Sequence, residues 1–209
     1  MKRLFYRFLK TICSLFARCN RHTTSVQQPC IKFLGIPVDG TKSKMISKLK
    51  AKGYKYDPYN DCLVGEFNGM DVLIVVRTVK NRVWRIAVAD QSFTDETSIK
   101  NRFNTLLEQF SNNTKYTLFE GSKLDEHEDI SNEMLVHNKR YDIEFKYTDE
   151  SIHGDVWYTI DKLEDDVHSC GNPSKYRIVM FYDNLNNIVT FEVSGNNKEM
   201  IFNIIDQGI

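Results

Sequence analysis

Tyr141-Asp142-Ile143-Glu144-Phe145-Lys146-Tyr147-Thr148 sets Tyr, Ile, Phe and Tyr at every second position, with Asp, Glu, Lys and Thr between them. Side chains of a β-strand point alternately to opposite faces, so this period predicts a strand with one face on a core and the other in water. Half-solvated strands belong to antiparallel sheets, because parallel strands are covered on both faces. Residues 156–160 and 176–182 repeat the pattern, joined by a polar loop over 164–174. Upstream, Asn68-Gly69 lies between the β-prone runs 62–67 and 72–79 and predicts a two-residue hairpin. The unbroken apolar block 72–76 predicts burial on both faces of its strand, and Lys80-Asn81 predicts a turn into 83–89.

Two helices are predicted against these strands. Ile99, Phe103, Leu106 and Phe110 recur at helical spacing behind Thr94 or Asp95, either of which can cap the N-terminus. Residues 41–52 put Met45, Ile46 and Leu49 on one face and Gly53 at the stop. The fold class is therefore α+β: antiparallel sheets with one or two packing helices, preceded by an N-terminal amphipathic helix. The chain divides into a leader and linker at 1–30, a helix–sheet–helix unit at 31–114 and a mainly antiparallel unit at 115–209. Gly69-Met70-Asp71-Val72 ahead of Trp84-Arg85-Ile86 is echoed by Gly154-Asp155-Val156 ahead of Tyr176-Arg177-Ile178. Two related small units explain that echo, and so does chance similarity between amphipathic strands.

The composition, 41% apolar and 27% charged, is that of a chain able to bury a core. Its net charge is zero but unevenly placed. Lys2, Arg3, Arg7, Lys10, Arg18, Arg21 and Lys32 all precede the first carboxylate, Asp39, leaving 21 basic against 28 acidic residues in the remainder. An acidic body without a basic, aromatic-laced strand face argues against a nucleic-acid partner.

On a helical projection of the leader, Leu4, Phe5, Phe8, Leu9, Ile12, Leu15 and Phe16 fall within an arc of about 140°, with Arg3, Arg7 and Lys10 opposite. Such a segment suits an anionic membrane interface, where apolar burial and headgroup attraction add. The expected partner is thus a membrane surface met by residues 1–18, with another protein as a further candidate. An export signal and a helix packed on the body are the competing readings; Arg7 and Lys10 interrupt the apolar core that an export signal needs.

Phe33-Leu34-Gly35-Ile36-Pro37-Val38-Asp39-Gly40-Thr41, with Lys52-Gly53-Tyr54 and Gly65-Glu66-Phe67-Asn68-Gly69, resembles a family of uncharacterised, often exported bacterial proteins. Val136-His137-Asn138-Lys139-Arg140-Tyr141 and Tyr182-Asp183-Asn184 resemble its second half. The resemblance implies a helix-plus-antiparallel-sheet build similar to β-lactamase-inhibitor-like or PepSY-like tandem domains, and it implies no catalytic residues. The leader departs from the cleaner export signal of that family.

No residue cluster in the sequence carries a catalytic, metal or cofactor signature. His22, His127, His137, His153 and His168 include no pair within a helical turn or two, and the acidic connector 125–129 lacks the glycine and terminal glutamate of a calcium loop. Cys13, Cys19, Cys30, Cys62 and Cys170 have no repeated spacing, and His168 beside Cys170 is the one neighbouring imidazole–thiol pair. Trp157 and Phe181 are expected on the face of their strands opposite Val156, Tyr158 and Ile160, where they either pack against a helix of the same protein or stand exposed as a partner surface. The expected function is a non-enzymatic, membrane-associated or exported binding module. The alternative is an enzyme whose site is assembled from residues distant in sequence.

Overall fold

The computed structural model describes residues 29–162 and 175–187. The expectations for the leader helix, the linker up to residue 28, the 164–174 loop and the apolar stretches at 188–193 and 200–205 lie outside the described residues.

The described residues begin with a two-stranded hairpin, β1 (Lys32–Phe33) and β2 (Ile36–Pro37), whose turn holds Leu34 and Gly35 at φ 51° and 77°. Then come α1 (Lys42–Ala51), β3 (Lys55–Asp57), β4 (Cys62–Phe67), β5 (Met70–Val79), β6 (Arg82–Asp90), α2 (Glu96–Ser111), β7 (Tyr116–Glu120), α3 (Ile130–Val136), β8 (Asp142–Tyr147), β9 (Gly154–Lys162) and β10 (Tyr176–Asn184). Strands β3 to β10 form one eight-stranded antiparallel sheet in the order β3-β4-β5-β6-β10-β9-β8-β7.

Local chemistry sets most of these boundaries. Asn68-Gly69 and Lys80-Asn81 all have positive φ, which matches the twist of the strands they join. Asp95 caps α2 by accepting from the Ser98 amide at 2.9 Å. Gly53, at φ 100°, turns the chain out of α1. Gly65 leaves room for the Tyr54 ring, since a Cβ there would stand 2.5 Å from Cδ1. Helix α3 was not foreseen; Asp129 caps it through the Asn132 amide at 2.9 Å, and only Ile130 of its seven residues is buried.

All three helices pack on one face of the sheet. Met45 and Leu49 from α1, Ile99, Phe103 and Leu106 from α2, and Ile130 from α3 share a core with Ile74, Ile86, Phe145, Tyr158 and Met180. The Tyr158 hydroxyl donates to the Phe103 carbonyl at 2.9 Å, and the two rings meet edge-on with centroids 5.0 Å apart.

The strand order runs inward from both edges to β6 and β10, so a helix followed by a four-strand meander occurs twice: α1-β3-β4-β5-β6 and α2-β7-β8-β9-β10. The register agrees with the sequence echo. If Val72 corresponds to Val156 and Ile86 to Ile178, then Asp90 corresponds to Tyr182; Val72 pairs with Asp90 in one unit and Val156 pairs with Tyr182 in the other. The same correspondence matches Val88 with Met180, which are themselves cross-strand partners at the centre of the sheet, as an approximate two-fold requires. Caps and anchors follow suit, with Thr41, Met45 and Leu49 in α1 against Asp95, Ile99 and Phe103 in α2. The division at 114 and 115 read from sequence assigns α2 to the first unit, whereas the order of elements makes it the opening of the second.

Candidate functional site

Strand residues that point away from the helices build a second surface, the back face, and the cross-strand register orders it into rows. One row runs Val64-Leu73-Ala89-Val179-Thr159-Asp142, and the next runs Val75-Ala87-Phe181-Trp157-Glu144. A third is charged: Arg77-Arg85-Asp183-Asp155-Lys146. Leu73 and Val75 are half-buried here, so the apolar block of β5 is fully buried only on its helix side, through Val72, Ile74 and Val76.

Like charges directly opposite each other in a ladder are unfavourable, and the charged row contains two such steps, Arg77 with Arg85 and Asp155 with Asp183. The central pair resolves part of the conflict. Arg85 and Asp183, 3% and 4% exposed, meet in a two-pronged bridge with both Nε–Oδ1 and Nη2–Oδ2 at 2.6 Å. The Trp157 indole donates to the same carboxylate at 3.0 Å. The Arg85 guanidinium lies 4.5 Å from the Trp84 ring centre, 4.6 Å from Phe181 and 5.4 Å from Trp157. A planar, weakly hydrated guanidinium is suited to this aromatic enclosure, and three donors satisfy the Asp183 carboxylate.

Trp84 reaches the back face through a register shift. Arg77 pairs with Arg85 but Thr78 pairs with Val83, so Trp84 and Arg85 together oppose Arg77 in a β-bulge. The equivalent stretch of the second unit, Tyr176 against Lys162, keeps its register, and Tyr176 is buried on the helix side.

Trp157 and Phe181 neither pack on a helix nor stand fully exposed. Phe181 is 1% exposed and Trp157 half-buried, and their rings stack on each other with centroids 4.0 Å apart and planes 20° from parallel. They wall in the Arg85–Asp183 pair. A solvent-facing strand position was legible from sequence, but the cross-strand partner that covers each ring was not.

A cavity of about 430 Å³ opens on the same face over β4, β5, β6 and β10. Ala87 and Ala89 form its floor, because these small residues of β6 lie between Val75 and Leu73 on one side and Phe181 and Val179 on the other. Arg77 and Trp84 stand among its walls, with Cys62, Asp57 and Asn60 toward the sheet edge. Burial pushes the Cys62 thiol up, and the neighbouring Asp57 and Asp61 carboxylates add to the shift. Hydrogen bonds from the Asn60 side chain and the Tyr59 amide hold the Asp57 carboxyl below its ordinary range.

The described histidines do not converge on this cavity. His127 is exposed beside Glu126, and His137 closes α3 with Nδ1 3.2 Å from its own helix's Glu133. Among the described residues no group of three or more His, Cys, Asp or Glu side chains is arranged to hold a metal, and no helix is long and apolar enough to cross a membrane. Helix α2 holds the acidic connector by other means, as Lys100 donates to the Glu126 and Glu128 carbonyls and Asn104 bonds both backbone groups of Leu124.

Asp155, at the far end of the charged row, is raised above the ordinary aspartate value of 3.8 by burial, with Lys146 opposing and Asp183 adding to the shift. A carboxyl that holds its proton more tightly when folded contributes stability fully below 3.8 and loses it as the pH climbs through its raised value. Asp155→Asn is therefore expected to melt higher than the natural protein at about pH 7, with the difference closing near pH 3. Thermal melts at both values check this; an equal difference at each would show that ionisation is not the cause.

Comparison of the chain with family models, with curated proteins and with solved structures returns no match. The class is accordingly defined by architecture alone: a paired α-β4 protein with one helix-covered face and one cavity-bearing face.

Proposed function

We propose that this protein is a non-enzymatic binding module, held at a membrane surface by residues 1–18, whose back face is the binding surface. The observation that carries the reading is the asymmetry of the sheet: one face is filled by three helices, while the other keeps an apolar cavity beside a buried ion pair. Rigid strands on either side pre-form that cavity, and a preformed apolar concavity with a few polar groups is the usual form of a ligand site. The cavity wall offers Cys62 and apolar side chains of β4, β5 and β10, a lining suited to recognition by shape and burial. The basic, aromatic leader adds the second half of the reading, since the acidic body would by itself be repelled by anionic lipid.

Flotation of the full chain with anionic and with neutral vesicles tests the anchor. Binding is expected on anionic vesicles, to weaken as added salt screens the headgroups, and to be lost when Arg3, Arg7 and Lys10 are all changed to Glu. Recovery of the natural chain in the lipid-free fraction on both vesicle types would remove the membrane from the proposal.

A further inference from the structure

The polar groups around the cavity are not equally engaged. Arg85 is bound by Asp183. Asp57 is bound by Asn60 and the Tyr59 amide. Asp61, just beyond the rim, is bound by Lys42 and the Tyr56 hydroxyl. Arg77 differs: among the described residues it makes no hydrogen bond or ion pair, and its charge is felt by the Asp61 carboxylate, which Lys42 and the Tyr56 hydroxyl already engage. Its cross-strand partner is a second guanidinium, Arg85. Asp183 neutralises one of these two charges and leaves the other beside a cavity whose floor is apolar and whose outer edge carries Asp57 and Asn60.

We infer that the cavity takes a single-chain anionic amphiphile, a fatty carboxylate, with its head on Arg77 and its chain over Ala87 and Ala89. The guanidinium fork matches a carboxylate with two parallel hydrogen bonds, and an anion there relieves the repulsion between Arg77 and Arg85. From Arg77 to Leu73 along β5 is four residues, about 13 Å, the reach of a chain of roughly ten carbons. The volume of about 430 Å³ falls within the range of about 300–1,000 Å³ found for small-molecule sites. The β-bulge that turns Trp84 onto this face closes the head end with an aromatic wall. This inference rests on the back face being the binding surface and names the class of ligand it holds.

Calorimetric titration of the full chain with monomeric decanoate, decyltrimethylammonium and acetate provides the test. Decanoate is expected to saturate one site, the ammonium amphiphile to bind at least about tenfold more weakly, and acetate not to bind. Arg77→Gln should lower decanoate affinity by about tenfold or more and erase the preference between the two head groups. Ala87→Phe fills the floor and should abolish binding of both amphiphiles while the protein melts cooperatively. Absence of saturable decanoate binding to the natural protein would overturn the inference, as would an Arg77→Gln variant that folds and keeps the preference for the anion. Decanoate binding at Arg77 without flotation would support the ligand and remove the membrane anchor; flotation without decanoate binding would keep the anchor and remove the ligand.

Discussion

Asp183→Ala is expected to cost about 3–5 kcal/mol of stability, because it leaves the Arg85 charge buried without its carboxylate. For a chain of this size that is a fall in melting temperature on the order of 10 °C. The side chains of the pair are only 4% and 5% exposed, so water cannot enter to replace the lost partner without opening the Trp157–Phe181 stack. The Trp157 indole loses its acceptor in the same step. The double variant Arg85→Leu with Asp183→Val should recover part of that loss, since removing both charges removes the desolvation penalty along with the attraction, while the Trp157 indole still lacks its acceptor. Urea unfolding of natural, single and double variants measures both effects. A double variant as unstable as the single one would mean that the aromatic enclosure of Arg85, rather than charge pairing, supplies the stability.

This pair also marks where reading from sequence stops. The alternation over 141–148, the hairpin at Asn68-Gly69 and the helix anchored by Ile99 and Phe103 are local patterns, and the structure contains each of them. Arg85 and Asp183 stand 98 residues apart, and nothing local to either announces the other. What joins them is the antiparallel contact of β6 with β10, a consequence of two meanders meeting at their last strands. The echo between 69–86 and 154–178 held that information in part, for it matched the very strands that meet. The cavity was hidden for a related reason. Ala87 and Ala89 read as ordinary strand residues, and they make a hollow only when Leu73, Val75, Val179 and Phe181 are known to flank them. The bulge at Arg77 was equally illegible, since a one-residue register shift leaves no mark in composition.

Phe103→Ala should be the most damaging single truncation on the helix side, at about 3–5 kcal/mol. Phe103 is 1% exposed, its ring meets Tyr158 edge-on, and it lies near the middle of α2, where the helix cannot collapse into the space without leaving the sheet. Leu49, its counterpart in α1, is also fully buried, and Leu49→Ala is expected to cost about 2–5 kcal/mol. The way these losses appear matters more than their size. Because β6 and β10 pair along five residues and the core runs unbroken from α1 to α3, damage under the second helix should lower a single transition for the whole sheet. Fluorescence and far-ultraviolet circular dichroism followed through the same urea series should therefore coincide in both variants. Two separated transitions in Phe103→Ala, with the amides of β4 and β5 still protected from exchange after those of β8 and β9 have opened, would show the two α-β4 units to be independent foldons joined only at a seam.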